Sequence, residues 1–104
     1  MKVRTEMGHF WITFENGYTL SVFNGYGSHT ENHFNLKKWQ DITENRLIYE
    51  GWDSQFVEIA VLSPDEDVIV TKEVLGYEYD VQTVDVNTLV DIINTVNEYE
   101  IDNS

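Results

Sequence analysis

The residues whose types and spacing most suggest chemistry are His29, Glu31 and His33, two histidines and a glutamate at alternate positions. Imidazole and carboxylate are the ligand groups of catalytic zinc and facial-triad iron sites. The three residues, however, follow the glycine-rich stretch at residues 24–27. A loop does not hold alternate side chains in one geometry, and nothing nearby identifies the hydrogen-bond partners that orient metal-bound histidines. We therefore expect no metal here, and interpret these residues and Tyr26 as contacts for a binding partner.

Two other patterns resemble known sites but lack a necessary part. Gly25 and Gly27 suggest a phosphate-binding loop, yet no G-x-G-x-x-G follows and no helix begins there. The acidic run at residues 65–67 lacks the spaced ligands and closing glutamate of a calcium loop. The chain also has no cysteine, no serine in a nucleophile-elbow pattern and no H-E-x-x-H. We expect no cofactor and no catalytic residue, and thus a protein that is not an enzyme.

Length and composition indicate one folded domain over residues 1–104. With 41% hydrophobic residues, including 3 Trp, 6 Tyr and 5 Phe, the chain is too apolar to be disordered. Its first residues contain no apolar signal region, and no apolar run approaches the roughly 18 residues of a membrane span. The absence of cysteine is compatible with a reducing compartment. These features predict a soluble, cytoplasmic protein.

Charge is the most unusual property of the chain, and it is unevenly distributed. The formal net charge is −13, from 6 basic and 19 acidic residues. Residues 1–50 hold five Lys or Arg and six Asp or Glu, whereas residues 51–104 hold one lysine and thirteen acids. A negative field repels nucleic acid and anionic membrane and attracts basic surfaces. The expected partner is a basic protein, with no direct contact to nucleic acid or membrane.

Tyrosines are interleaved with the acids of the second half, and tyrosine is frequent among the residues that dominate binding energy at interfaces. Two interpretations of these carboxylates remain open. They only keep the protein soluble, or they present a negative surface to a protein that normally binds nucleic acid. For the second interpretation, the candidate partner-binding residues of this half are Glu73, Tyr77, Glu78, Tyr79, Asp80, Asp85 and Asp91.

The elements that must position these residues can be predicted in part. Aromatic and β-branched runs around Asn16 and Gly17 predict a hairpin over residues 9–23. A three-residue loop pairs Phe14 with Tyr18 and places six apolar side chains on one face, with Gly17 in the left-handed conformation. Trp11 and other aromatics then point to the opposite face, where they would support a homodimer.

The remaining patterns complete an α+β fold. The apolar run QFVEIAVL, an acidic turn and VIVTKEV predict a second hairpin over residues 55–74, followed by an acidic connector. Apolar residues at helical spacing predict a helix over 86–99, capped by Asp85. Residues 34–49 fit one short helix or two short strands, of which we favour the strands. We expect an antiparallel sheet of four or five strands with the C-terminal helix packed on one face.

Three segments, FENGYTLSVF, VEIAVLSPDEDVIVT and EVLGYEYDVQTVDVNTLVDII, resemble a group of small uncharacterised bacteriophage proteins. That group shares an F-x-N-G-[YW]-x-[LV]-S-V strand pair, a [YW]-E-[VI]-A-V-L strand, and D-V-[IL]-G-[YW] before a closing helix. The matching positions are Phe14, Asn16, Gly17, Tyr18, Leu20, Ser21 and Val22, then 57–62, then 74–77. The link over residues 24–54 is longer here.

The resemblance implies an accessory protein acting in the bacterial cytoplasm, and it assigns no activity and no catalytic residue. Small acidic phage proteins often inhibit host enzymes or defence systems, some as DNA mimics. Our leading hypothesis is an inhibitor of a basic, nucleic-acid-handling bacterial protein. The alternatives are a small-ligand or metal binder built on the loop at residues 24–33, and a homo-oligomeric structural or assembly component.

Overall fold

The computed structural model describes residues 1–6, 8–24 and 55–100, which form an α+β fold of one sheet and a helical layer. Five antiparallel strands lie side by side in chain order. They are β1 (Lys2–Glu6), β2 (His9–Thr13), β3 (Thr19–Phe23), β4 (Phe56–Leu62) and β5 (Gln82–Asp85), with helices α1 (Thr71–Leu75) and α2 (Leu89–Glu98). The predicted fold class is confirmed. The predictions for residues 25–54 lie outside the described residues.

The first hairpin has the predicted register. Ile12 faces Leu20 across β2 and β3, and the Phe14 amide donates to the Tyr18 carbonyl at 2.9 Å. Gly17 has φ +89°, in the region that favours glycine, and a Cβ there would lie 3.0 Å from the Cβ of Pro64. The turn therefore requires glycine for its conformation and for its close approach to the chain after β4.

The second predicted hairpin is wrong beyond its turn. After β4 the chain reverses over residues 63–68, and Ile69 makes a single bridge to Leu62. The chain then enters helix α1 at Thr71 instead of continuing as a strand to residue 74. The β-branched run VIVT resembled a strand, but only two residues lie along β4 before the helix starts. Gly76 ends α1 in the left-handed conformation, φ +74°.

Two strands were missed in the sequence. Strand β5 lies in what was predicted as a connector, and it contributes a single buried residue, Val84. It pairs with β4 from Ile59 to Phe56. Strand β1 pairs with β2 along its whole length, yet all five of its residues are exposed. Neither strand is apolar enough to produce a recognisable alternating pattern.

The core lies between the sheet and the helices. Leu20, Ile59 and Val61 from the central strands and Val96 from α2 are completely buried. Burial of such side chains stabilises the fold by about 1.5–3 kcal/mol each. Helix α2 begins after a 3₁₀ turn, Val86–Thr88, whose Asn87 amide donates to the Asp85 carboxylate at 2.7 Å. The predicted helix and its cap are thus confirmed.

The first hairpin also caps the C-terminal end of α2. The side-chain amide of Asn16 donates to the carbonyl oxygens of Val96 at 2.7 Å and Tyr99 at 3.0 Å. Its Oδ1 accepts from the Tyr18 amide at 3.0 Å, and the Tyr18 ring meets Tyr99 edge-on at 5.1 Å. Because the last turn of α2 has no basic side chain, these bonds satisfy carbonyls that would otherwise lack donors.

Candidate partner-binding surface

The acid and tyrosine segment after α1 is fixed at both ends by one buried hydroxyl. Thr71 is completely buried. Its Oγ1 accepts a hydrogen bond from the Val61 amide of β4 at 2.9 Å and donates one to the Asp80 carbonyl at 2.6 Å. The Val70 amide also donates to the Val61 carbonyl at 2.7 Å. Residues 71–80 are therefore held as a closed segment against the central sheet.

Five side chains of this closed segment are exposed: Lys72 and the four residues Glu73, Glu78, Tyr79 and Asp80. We refer to these four residues as the acidic edge. Glu73 lies on α1, and the other three lie in the connection between Gly76 and β5. Tyr79 is 59% exposed, and it stands between Glu78 and Asp80 in the sequence. Tyrosine is enriched at protein-binding surfaces and frequent among the residues that dominate binding energy there.

Two of the sequence-predicted contact residues contribute to the fold itself. The Tyr77 side chain is half-buried and packs against the core. Asp85 is half-buried and its carboxylate caps the 3₁₀ turn before α2. Asp91 lies exposed on the first turn of α2, where a carboxylate interacts favourably with the helix dipole. The other four predicted contacts, Tyr26, His29, Glu31 and His33, lie outside the described residues.

The part of the chain that contains the acidic edge has a strongly negative net charge. Residues 55–100 contain eleven acidic side chains and one lysine, a net charge of −10. That lysine, Lys72, lies 3.9 Å from the Asp80 carboxylate, and both side chains are more than half exposed. A solvent-exposed pair of this kind contributes little free energy. The single cation therefore leaves the local field strongly negative.

Within residues 1–6, 8–24 and 55–100, no group of three or more His, Cys, Asp or Glu side chains could hold a metal ion. The histidine pattern of His29 and His33 falls in the part of the chain that is not described. Across the described helices, none has the length and apolar character needed to cross a membrane.

The sheet face opposite the helices carries a cluster that sequence analysis did not identify. The Arg4 guanidinium lies 4.0 Å from the Trp11 ring centroid, and the His9 ring stacks on Trp11 at 3.7 Å. Burial, with a smaller contribution from Arg4, lowers the pKa of His9 below its ordinary value of 6.5. His9 Nε2 also lies 2.5 Å from the Ser21 hydroxyl. The cluster could not be predicted because β1 was not recognised as a strand.

Thr71 was missed as well, and the sequence offers one signal for it. A threonine at the point where a strand pattern gives way to acidic residues can bond to neighbouring backbone groups instead of extending the strand. The partner groups on β4 and at Asp80 are ten and nine residues away, however. No local pattern indicates such bonds.

Comparison with known proteins adds no assignment: no protein-family model, no curated protein and no solved structure matches this chain.

Proposed function

We propose that this protein is a non-enzymatic inhibitor that binds a basic, nucleic-acid-handling bacterial protein through its acidic edge. The partner would normally contact phosphates with lysine and arginine side chains. The carboxylates of Glu73, Glu78 and Asp80 would occupy those positions, so that binding of the inhibitor excludes nucleic acid. The resemblance to small phage proteins supports a bacterial partner and action in the bacterial cytoplasm.

The observation that carries the proposal is the fixation of the acidic edge by Thr71. A set of carboxylates on a loose loop would lose conformational entropy on binding, whereas a segment closed against β4 is already ordered. One hydrogen bond of Thr71 joins the start of the segment to Val61 of β4 at 2.9 Å, and the other joins it to the Asp80 carbonyl at the end of the segment at 2.6 Å. Acids serving only solubility would not need such an arrangement.

The charge distribution supports the same partner chemistry. A net charge of −13 on 104 residues raises the rate of encounter with a basic surface and opposes binding to nucleic acid itself. Tyr79 would then contribute apolar contact area at the centre of the interface, because its ring is exposed next to the carboxylates. Long-range attraction and local contact would thus come from the same segment.

The test uses two variants with equal net charge. The edge variant carries Glu73→Gln, Glu78→Gln and Asp80→Asn, and the control carries Glu6→Gln, Glu98→Gln and Glu100→Gln. Each removes three exposed carboxylates and changes the formal charge from −13 to −10. Immobilised wild-type protein and both variants are incubated with bacterial lysate at low salt, and retained proteins are identified by mass spectrometry.

We expect a basic nucleic-acid-binding protein to be retained by the wild type and the control but not by the edge variant. Added duplex DNA should compete with this retention, because both ligands would use the same basic surface. If the edge variant and the wild type retain the same protein equally, the acidic edge is not the interface. Retention that duplex DNA does not affect would contradict inhibition by exclusion of nucleic acid.

A further inference from the structure

We infer that the sheet face opposite the helices contains a second site, which binds a small ligand with one anionic group attached to a planar ring. A cavity of about 330 Å³ lies over the β1 and β2 end of this face. This volume is at the lower end of the range of small-molecule sites. Its described lining residues are Lys2, Val3, Arg4, Trp11, Thr13 and Glu66. The inference is independent of the acidic edge.

Strand pairing explains why these residues converge. Lys2 faces Thr13 and Arg4 faces Trp11 across β1 and β2, and side chains that face each other across two strands lie on the same side of the sheet. The Arg4 guanidinium lies over the indole at 4.0 Å, so the cation is held at the cavity rather than extended into solvent. The cavity therefore combines two cations, a hydroxyl and an aromatic ring.

The cavity is also lined by a carboxylate from a distant part of the chain. Glu66 lies in the turn after β4, and it is the one described non-glycine residue with positive φ, +60°. Its carboxylate is 3.5 Å from the Thr19 hydroxyl, which in turn lies 2.9 Å from the Thr13 hydroxyl. Backbone conformations of this kind cost about 1–3 kcal/mol and are concentrated at ligand sites.

The charges of the lining select the ligand. The chain has six basic residues in total, and two of them line this one cavity in a protein of net charge −13. Lys2 and Arg4 can together bind a carboxylate or a phosphate, and Thr13 can donate to the same group. The ligand's planar ring would contact the edge of the half-buried Trp11 indole, because Arg4 and His9 already cover its two faces. Glu66 would disfavour ligands that carry several negative charges.

Nuclear magnetic resonance titration of the full-length, isotope-labelled protein tests this site with named probes. AMP supplies a phosphate with a ring, and benzoate supplies a carboxylate with a ring. Adenosine provides a neutral ring, and inorganic phosphate provides the anion alone. We expect saturable shifts of the Val3 and Thr13 amides and of the Trp11 indole with AMP, with benzoate, or with both.

Response to AMP only would identify phosphate as the anion, and response to benzoate only would identify carboxylate. Adenosine and inorganic phosphate should each bind about tenfold more weakly than the better ring-bearing anion, because each lacks half of the contacts. If neither AMP nor benzoate produces saturable shifts at millimolar concentration, the inference is wrong. Equal affinity for adenosine and AMP would also overturn it.

Matched variants locate the binding. Lys2→Ala, which removes an exposed side chain, should weaken binding of the active probe about tenfold, the typical loss of a charge-assisted hydrogen bond. Lys72→Ala removes the same charge from the helical layer and should change the affinity less than about twofold. Glu66→Gln should improve binding of ATP relative to AMP. Equal losses for Lys2→Ala and Lys72→Ala would show a general charge effect and overturn the site.

Discussion

Replacing Thr71 with valine removes the hydroxyl that fixes the acidic edge while keeping the shape of the side chain. Thr71 is completely buried, and its hydroxyl makes two hydrogen bonds, one with the Val61 amide and one with the Asp80 carbonyl. Valine can make neither bond. The substitution therefore tests whether these two bonds hold residues 71–80 against the sheet.

The expected loss of unfolding free energy depends on whether each hydrogen-bond partner of Thr71 finds a new partner when the hydroxyl is removed. The Val61 amide belongs to a completely buried residue of the central strand β4, and an unsatisfied buried donor costs about 1–3 kcal/mol. The Asp80 carbonyl belongs to an exposed residue, so water can replace the lost bond at a cost of roughly 0.5–1 kcal/mol. With both bonds lost, the free energy of unfolding should fall by about 1.5–4 kcal/mol.

Urea unfolding followed by circular dichroism measures this loss, and hydrogen exchange at the Val61 amide shows where it occurs. The matched control is Thr95→Val on α2, where an exposed threonine hydroxyl donates to the Asp91 carbonyl at 2.8 Å. That control should lose less than about 0.5 kcal/mol, as is usual for surface substitutions. Thr71→Ser keeps the hydroxyl and should retain slow exchange at Val61.

Equal losses of stability for Thr71→Val and Thr95→Val would refute the role given to the buried hydroxyl. Unchanged hydrogen exchange at the Val61 amide in the Thr71→Val variant would also refute this role, because the amide would then have another acceptor.

Three other substitutions test the turn, the helix cap and the aromatic cluster. Asn16→Ala should lower the free energy of unfolding by about 1–2 kcal/mol, since it removes the donors to the last carbonyls of α2; an unchanged urea midpoint would contradict this. Gly76→Ala should cost about 1 kcal/mol for its left-handed backbone, and Gly17→Ala should cost more because its Cβ also meets Pro64 at 3.0 Å; equal melting temperatures for these two variants would refute the contact argument. His9 has a lowered pKa in the folded state, so the unfolded chain binds a proton first and stability falls as pH drops below about 6.5. His9→Phe should reduce this fall in thermal melts, and an identical pH dependence in wild type and variant would contradict it.

The sequence was most informative where local chemistry and burial agree. The register of residues 9–23 could be predicted because only one pairing gathers the apolar side chains on one face, and because Gly17 marks the turn. Helix α2 could be predicted because Ile92 and Val96 repeat at the helical period and Asp85 supplies a cap. These features are encoded within a few neighbouring residues.

The features that were missed depend on contacts between distant residues. Strand β1 is fully exposed and has no apolar alternation, so only its pairing with β2 defines it. Helix α1 follows directly on the β-branched run VIVT of residues 68–71, and it begins where Thr71 bonds to β4. The acidic edge itself was visible as a run of charges. Its fixation was not, because the partners of Thr71 are nine and ten residues away.

The central claim is that the acidic edge binds a basic protein, and its most direct test is the affinity of the retained bacterial protein measured against salt. Isothermal titration calorimetry is performed with the wild type, the edge variant and the control variant. We predict that the edge variant binds at least about tenfold more weakly at low salt and depends less on salt than the wild type, while the control changes less than about threefold. Equal losses of affinity in the two variants, or affinity independent of salt in the wild type, would contradict the claim.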